Sequence, residues 1–379
     1  MDRNAHVAAA INRAIFERGE LGVQVAAYLD GKLVIDTFAG TANPSGEAVV
    51  GDTLFNVFSV SKALASTAVH VQAERGLIDY NAPIVDYWPE FGVHGKHAAT
   101  GRDALTHRTG IPQMPEGTSP EMMCDWDAMC SAIADLAPIF PVGGHPAYHS
   151  VTYGWITGEL VRRTDPRNRS FAAFVQDEIC APLAIDDLWL GIPDSAEHRV
   201  ATLHNDNAHD PLPPLDSNFI RSVPANVQLV PPVFERPDVR RACIPAVGGI
   251  ANARSMARFW AQLAQGGTLD GVRLLSPDRI ANAGRLRQGN NHPDPVYFDM
   301  PMPLSEGGYW KGAALPPIAA VRNPDAICCP GAGGSIAWAD TQNKLAVAIC
   351  HNRMLNLRSS LDHPLVLVAD AVREALDLT

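Results

Sequence analysis

Strand-like runs at the two ends of this chain, with helical patterns between them, constrain its fold more than any other feature. Near the start, apolar runs at residues 23–29 and 33–38 flank Asp30-Gly31, with Lys32 beyond. Asp-Gly between such runs is the strongest short-range hairpin signal. Near the end, residues 335–339 and 345–350 read as a second strand pair around a turn at 340–343. Strands so far apart in the chain share one core only if the two ends come together. The expectation is therefore an α+β fold with an antiparallel central sheet flanked by helices. Residues 1–57 and 240–379 would form that unit, with a mainly helical unit with long loops, residues 58–239, inserted between them.

Helical patterns fill in the rest. Val7, Ile11, Ala14 and Ile15 make one face of an opening helix that Gly19 can end. Residues 127–136 and 154–163 read as helices, and residues 365–376 as a final one. Gly248-Gly249-Ile250 leads into a helix carrying Met256, Phe259, Trp260 and Leu263 on one face, closed by Gly266-Gly267. Between 205 and 240 the composition shifts to NDNAHDPLPPLDS and PPVFERPD, which reads as a long surface connection.

The chemistry centres on FNVFSVSKAL, residues 55–64. Ser59 and Lys62 stand three apart at the opening of a helix whose apolar positions Leu64, Ala68 and Val71 follow until Gly76. That spacing puts hydroxyl and amine on one face, one turn apart. A serine hydroxyl becomes a useful nucleophile when a base takes its proton, and a desolvated lysine with a lowered pKa can be that base. Ser61 is the rival nucleophile, but it lies about 100° around the helix from Lys62. A helix N-terminus also turns the Ser59 N–H toward developing negative charge.

Two further stretches complete an acyl-transfer site. In PAYHSVTYGWITGEL, Tyr148 precedes a helical run, and a buried phenol close to Lys62 could relay a proton to a leaving group. In CPGAGGSIAWAD, Gly331, Gly333 and Gly334 run into a strand, and such glycines let backbone approach a ligand. The N–H of Ser335 is then the second oxyanion donor beside that of Ser59. Tyr153, Tyr309 and Trp310 are candidates for an aromatic acyl pocket, with Ser150, Gly333 and Gly334 as further substrate contacts.

Taken together, these stretches resemble the serine β-lactamase and penicillin-binding-protein superfamily, in particular its class C-like branch that includes family VIII carboxylesterases. FNVFSVSKAL resembles the branch's Ser-x-x-Lys block, which implies Ser59 as nucleophile and Lys62 as general base. ALTHRTGIP at residues 104–112 resembles another of its blocks, with His107 as a structural turn residue. Tyr148-His149-Ser150 sits where the branch has Tyr-x-Asn or Tyr-x-Ser, and Ala332-Gly333-Gly334 where β-lactamases have Lys-Thr-Gly. The resemblance spans nearly the whole chain and implies a β-lactamase/transpeptidase-like fold. Its departures bear on substrate: Ala332 replaces a cation that helps hold the antibiotic carboxylate, and Ser150 replaces an amide. Both point to a small neutral ester. Cys329 stands where many relatives have histidine. Acyl transfer to an alcohol or amine, β-lactam or D-amino-acid peptide cleavage, and a non-catalytic acyl-binding role are the alternatives. The Gly-x-Ser-x-Gly elbow of α/β-hydrolases is absent.

Composition sets the outer bounds. The 379 residues carry a formal net charge of −11 with no basic run, which argues against a nucleic-acid partner. No stretch approaches the roughly 20 apolar residues of a membrane span, and the charged N-terminal segment argues against a signal core, so the expected setting is cytoplasmic. Cys124, Cys130, Cys180, Cys243, Cys328, Cys329 and Cys350 are odd in number and scattered, as suits reduced thiols. His204, Asp206, His209 and Asp210 could crowd a metal but fall in the proline-rich stretch and read as surface loop. No metal or organic cofactor is expected.

Overall fold

In a computed structural model of the protein, residues 2–206, 213–313, 315, 318–355 and 363–378 are described. The chain opens with α1, Arg3–Arg18, capped by the Asp2 carboxylate on the N–H groups of Asn4 and Ala5 and ended by Gly19 at φ 76°. Its buried face is Val7, Ala10, Ile11 and Ala14, the helical spacing of a core-facing stripe. Strands β1, Gly22–Leu29, and β2, Lys32–Gly40, follow. They are joined by Asp30 and Gly31 alone, at φ 49° and 75°, the two left-handed positions of a tight hairpin turn.

Strand β3, Phe55–Phe58, runs into a short 3₁₀ turn at Ser59–Ser61 and then α2, Lys62–Glu74. Helices α3, Trp126–Ala134, and α4, Thr152–Thr164, belong to the central region, and strand β4 spans Leu188–Leu190. After α5, Asn218–Ser222, come β5, Gly249–Ala251, and α6, Ala253–Ala264. Strands β6, Trp310–Lys311, β7, Ile327–Pro330, β8, Ile336–Asp340, and β9, Leu345–His351, precede the last helix, α7, Pro364–Ala375.

The main sheet is antiparallel throughout, in the order β2-β1-β9-β8-β7-β6. Two strands come from the start of the chain and four from its last quarter; the joint is β1 on β9, with Val23 opposite His351 and Leu29 opposite Leu345. All but the last residue of β1 are buried, between its two neighbouring strands and beneath helix α6. Helix α6 packs on β1, β8 and β9, while α1 packs on β2 and α7. A second sheet, β3-β5-β4, ties the Ser59 turn to two strands from the middle third of the chain. No helix among the described residues is long and apolar enough to cross a membrane.

The proline-rich stretch departs from expectation. Its described part is not a bare surface connection: it forms α5 and the short helices Pro231–Phe234 and Pro237–Arg241, and buries Ile220, Val227, Phe234 and Val239. The reason lies in where the prolines fall. Pro231 and Pro237 occupy the first turn of their helices, where the missing N–H has no partner to lose, so they start helices and do not merely interrupt them.

Gly40, at the end of β2, has φ 93°, and a Cβ there would lie 1.8 Å from the Leu21 carbonyl oxygen. Gly40→Ala should therefore cost about 2 kcal/mol or more, since strain and a backbone clash coincide. Urea unfolding followed by circular dichroism tests this, and an unchanged midpoint would refute it.

Candidate active site

Ser59 sits where strand gives way to helix. Phe58 before it has φ 47° and ψ −127°, a rare conformation for an aromatic residue and one that occurs where surrounding structure over-determines the backbone. Here the over-determination is visible. The β3–β5 register shifts at Asn56/Phe58, and the Phe58 ring packs edge-on against Phe234 at 5.2 Å. The Ser61 hydroxyl lies 2.8 Å from the carbonyl oxygens of both Phe58 and Pro245 and shares its single proton between them, so Ser61 fastens the turn.

The Lys62 amine lies 3.0 Å from Ser59 Oγ and also reaches the carbonyl oxygens of Ser150 (2.7 Å) and Ala246 (3.0 Å). Lys62 is 2% exposed, and burial pulls its pKa down from 10.5 to about 7. The geometry matters as much as the shift. A neutral amine has two N–H groups and one lone pair. With both N–H groups donating to the Ser150 and Ala246 carbonyls, the lone pair is left for the Ser59 hydroxyl.

Tyr148 completes a triangle. Its buried phenol interacts with the side chains of Ser59 and Trp310, and its ring lies 5.3 Å from Lys62 Nζ. Burial pushes the phenol well above its usual value, so it stays protonated. His107 lies against it at 4.7 Å and stacks on Tyr153 at 4.6 Å, while His107 Nδ1 accepts from the His149 N–H at 3.0 Å. His107 has φ 62°, and burial pulls its pKa well below normal; it is a neutral turn residue that backs Tyr148.

Strand β7 packs on the Ser59 turn. Cys328 and Cys329, adjacent in a strand, project to opposite sides. The Cys329 thiol donates to the Ser59 carbonyl at 2.8 Å, and burial raises its pKa to about 12, which keeps the proton on sulfur. The glycine turn then brings Ser335 to the start of β8. Gly334 has φ 132°, and a Cβ there would meet His363 atoms at 2.6 Å and His351 Nε2 at 2.9 Å. Only glycine fits. His351 in turn pairs through Nδ1 with buried Glu20 at 3.1 Å, and its main-chain N–H donates to Ser335 Oγ at 3.2 Å. Among the described residues, no acceptor is paired with the N–H of Ser59 or of Ser335.

The remaining candidates separate by depth. Trp310 lies beside Tyr148, with ring centroids 6.0 Å apart. Ser150 gives its carbonyl to Lys62, while its hydroxyl is paired with Ser222 Oγ at 2.8 Å. Tyr153 and Tyr309 are both buried, with hydroxyls on Ser66 (2.7 Å) and Thr67 (2.8 Å). Gly333 offers no side chain, and its carbonyl faces the N–H of Leu355 at 3.1 Å.

No group of three or more His, Cys, Asp or Glu side chains among the described residues is placed to hold a metal ion. His204 pairs with Asp206 at 2.8 Å and Asp206 with Arg353; His209 and Asp210 lie outside the described residues. Sequence reasoning missed Ala246, Asp294, Glu20, His351 and His363, which carry no local pattern and meet the site only through the fold.

Comparison with known proteins bears on family and fold. Over 359 residues the chain is 31% identical to "Esterase/beta-lactamase LipL" of Mycobacterium tuberculosis (strain ATCC 25618 / H37Rv), covering 90% of this chain and 79% of that protein. The crystal structure of a family VIII carboxylesterase superposes with a TM-score of 0.88 at 30% identity, covering 99% of this chain and 98% of the other. A penicillin-binding protein homolog from Caulobacter crescentus superposes with a TM-score of 0.87 at 31% identity, over 99% and 98% of the two chains. The beta-lactamase family model matches residues 7–371, and with that span, this fold and these relatives the chain belongs to the beta-lactamase family of serine hydrolase type.

Proposed function

We propose that the protein is a serine esterase that cleaves small neutral carboxylic esters through an acyl-enzyme on Ser59. The observation that carries this reading is the 3.0 Å approach of a buried Lys62 amine, with a pKa of about 7, to Ser59 Oγ. Lys62 takes the Ser59 proton as the oxygen attacks the ester carbonyl. The N–H groups of Ser59 and Ser335 hold the resulting oxyanion. Collapse breaks the carbon–oxygen bond to the alcohol, and the departing alkoxide takes its proton from the Tyr148 phenol, which Lys62 replenishes. Water then gives a proton to Lys62 as it attacks the acyl group, and collapse breaks the bond to Ser59 Oγ, which takes that proton from Lys62 as the acid leaves. These steps call on no metal or organic cofactor.

Substrate class follows from what the site lacks and what its relatives are. Ala332 places a methyl group where the resemblance expects a cation, and the Ser150 hydroxyl is engaged by Ser222. An anionic substrate gains little from such a surface. The family VIII carboxylesterase likeness supports an ester. The name of the LipL relative favours β-lactam hydrolysis as a second reading. The free state of all seven cysteines fits a reducing, cytoplasmic setting.

Ser59→Ala should abolish hydrolysis of a short p-nitrophenyl ester while the protein stays folded. A fluorophosphonate should add one adduct at Ser59 by intact mass. Full activity in the alanine variant, or no adduct, would end this reading. Because Lys62 must be neutral to act, kcat/KM should rise about tenfold per pH unit below 7 and level off above it. A rate independent of pH between about 5 and 9 would exclude Lys62 as the base. Nitrocefin turnover should fall at least about a hundredfold below that of the ester, and comparable rates would favour the second reading.

A further inference from the structure

The loop at residues 293–301 lies against Tyr148 and is closed on itself by a bridge between Pro293 and Pro301. It is tightly wound: Phe298 and Asp299 have φ 58° and 55°, a left-handed conformation uncommon for residues other than glycine. One side chain holds it. Asp294 Oδ1 accepts from the N–H groups of Val296 and Tyr297, both at 3.0 Å, within the loop. The same oxygen accepts from the main-chain N–H of Tyr148 at 3.2 Å, 146 residues away in sequence. The main chain of Asp294 adds bonds of its own, donating to the Met300 carbonyl at 3.1 Å and accepting from the Asp299 N–H at 3.0 Å.

Two features make this more than a loop staple. Asp294 is 2% exposed, and its second oxygen, Oδ2, has no partner among the described residues. A carboxylate in that position costs free energy that a smaller apolar residue would avoid. The buried Arg287 guanidinium beside it is directed to the carbonyls of Thr106 (2.9 Å) and Met302 (3.3 Å) and forms no ion pair with Asp294. In addition, the loop it holds supplies the Tyr297 ring, 5.8 Å from Tyr148 and 6.1 Å from Trp310. The phenol of Tyr148 is therefore fixed from two directions by one residue: through its own backbone, and through the Tyr297 ring set edgewise to it.

We propose that Asp294 is a positioning residue for catalysis, stapling the 293–301 loop to the Tyr148 backbone so that the phenol stays in reach of Ser59 and Lys62; this rests on the esterase reading above. What the staple needs is an acceptor oxygen at Oδ1, not a charge. Asparagine can supply that oxygen, and alanine cannot.

The experiment compares Asp294→Ala and Asp294→Asn on a p-nitrophenyl acetate substrate, with fluorophosphonate labelling of wild-type Ser59 alongside. Asp294→Ala should lower kcat between about tenfold and a hundredfold, the scale of a misplaced reacting group, with KM within about threefold. Asp294→Asn should recover kcat to within about threefold of wild type. An alanine variant within twofold of wild type in kcat, or an asparagine variant as impaired as alanine, overturns the proposal. Should the alanine variant not fold, amide hydrogen exchange on the wild-type protein carries the test: the Tyr148, Val296 and Tyr297 amides should exchange at least about a hundredfold more slowly than in a free peptide. Free-peptide exchange at Tyr148 overturns the staple even when Ser59 labels fully. No labelling of Ser59, with those amides protected, overturns the esterase reading and with it the role of Asp294 in catalysis.

Discussion

A lysine amine held without a counter-charge organises this molecule. Burying an ammonium in so dry a place is costly, and the cost is removed by giving up the proton, not by recruiting an acid. The groups that meet Lys62 Nζ are two main-chain carbonyls and one hydroxyl. The thiol of Cys329 nearby keeps its proton, so it adds no negative charge that would hold Lys62 in the ammonium form. A carboxylate in its place would raise the lysine and quench its basicity. Neutrality, not attraction, is what this pocket is built to secure.

That requirement explains why three remote segments converge. Ser59 comes from the turn after β3, Ser150 from the residues before α4, and Ala246 from the approach to β5. Each contributes one oxygen, and the second sheet, β3-β5-β4, is the frame that holds two of the three segments side by side. The strained Phe58 backbone and the bonds of Ser61 to Phe58 and Pro245 belong to the same frame. On the far side, Gly334 is confined by His351 and His363, whose rings occupy the space a side chain would need. The amide of Ser335 is thus set by packing from behind, with Glu20 fixing His351 in turn.

What could be read from the linear chain was local. The Asp30-Gly31 hairpin, the amphipathic α1 and α6, the strand pair β8–β9 and the Ser59-Lys62 spacing are each fixed by residues a few positions apart, so period and turn chemistry suffice. Depth was harder. Tyr153 and Tyr309 are aromatic residues near the right stretches, yet their hydroxyls are satisfied by Ser66 and Thr67, a fact that depends on how α2 packs on its neighbours. Asp294 and Ala246 left no trace at all, because an Asp between prolines and an Ala before Val-Gly-Gly are ordinary until the fold brings them to Tyr148 and Lys62. Prolines between 211 and 237 suggested irregular chain because composition does not say which turn of a helix a proline will occupy.

The pairing of β1 with β9 carries a consequence for biosynthesis. Residues 22–29 leave the ribosome long before residues 345–351, the strand that completes their hydrogen bonding. Until then a nearly all-apolar strand has an open edge, the kind of surface that chaperones shield and that otherwise seeds aggregation. Cys329, Gly334 and Ser335 likewise follow long after Ser59 and Lys62, so a nascent chain carries that pair for a long interval without the strands that back it. By this topology the Ser59 pocket matures only after residues 327–351 have emerged and paired.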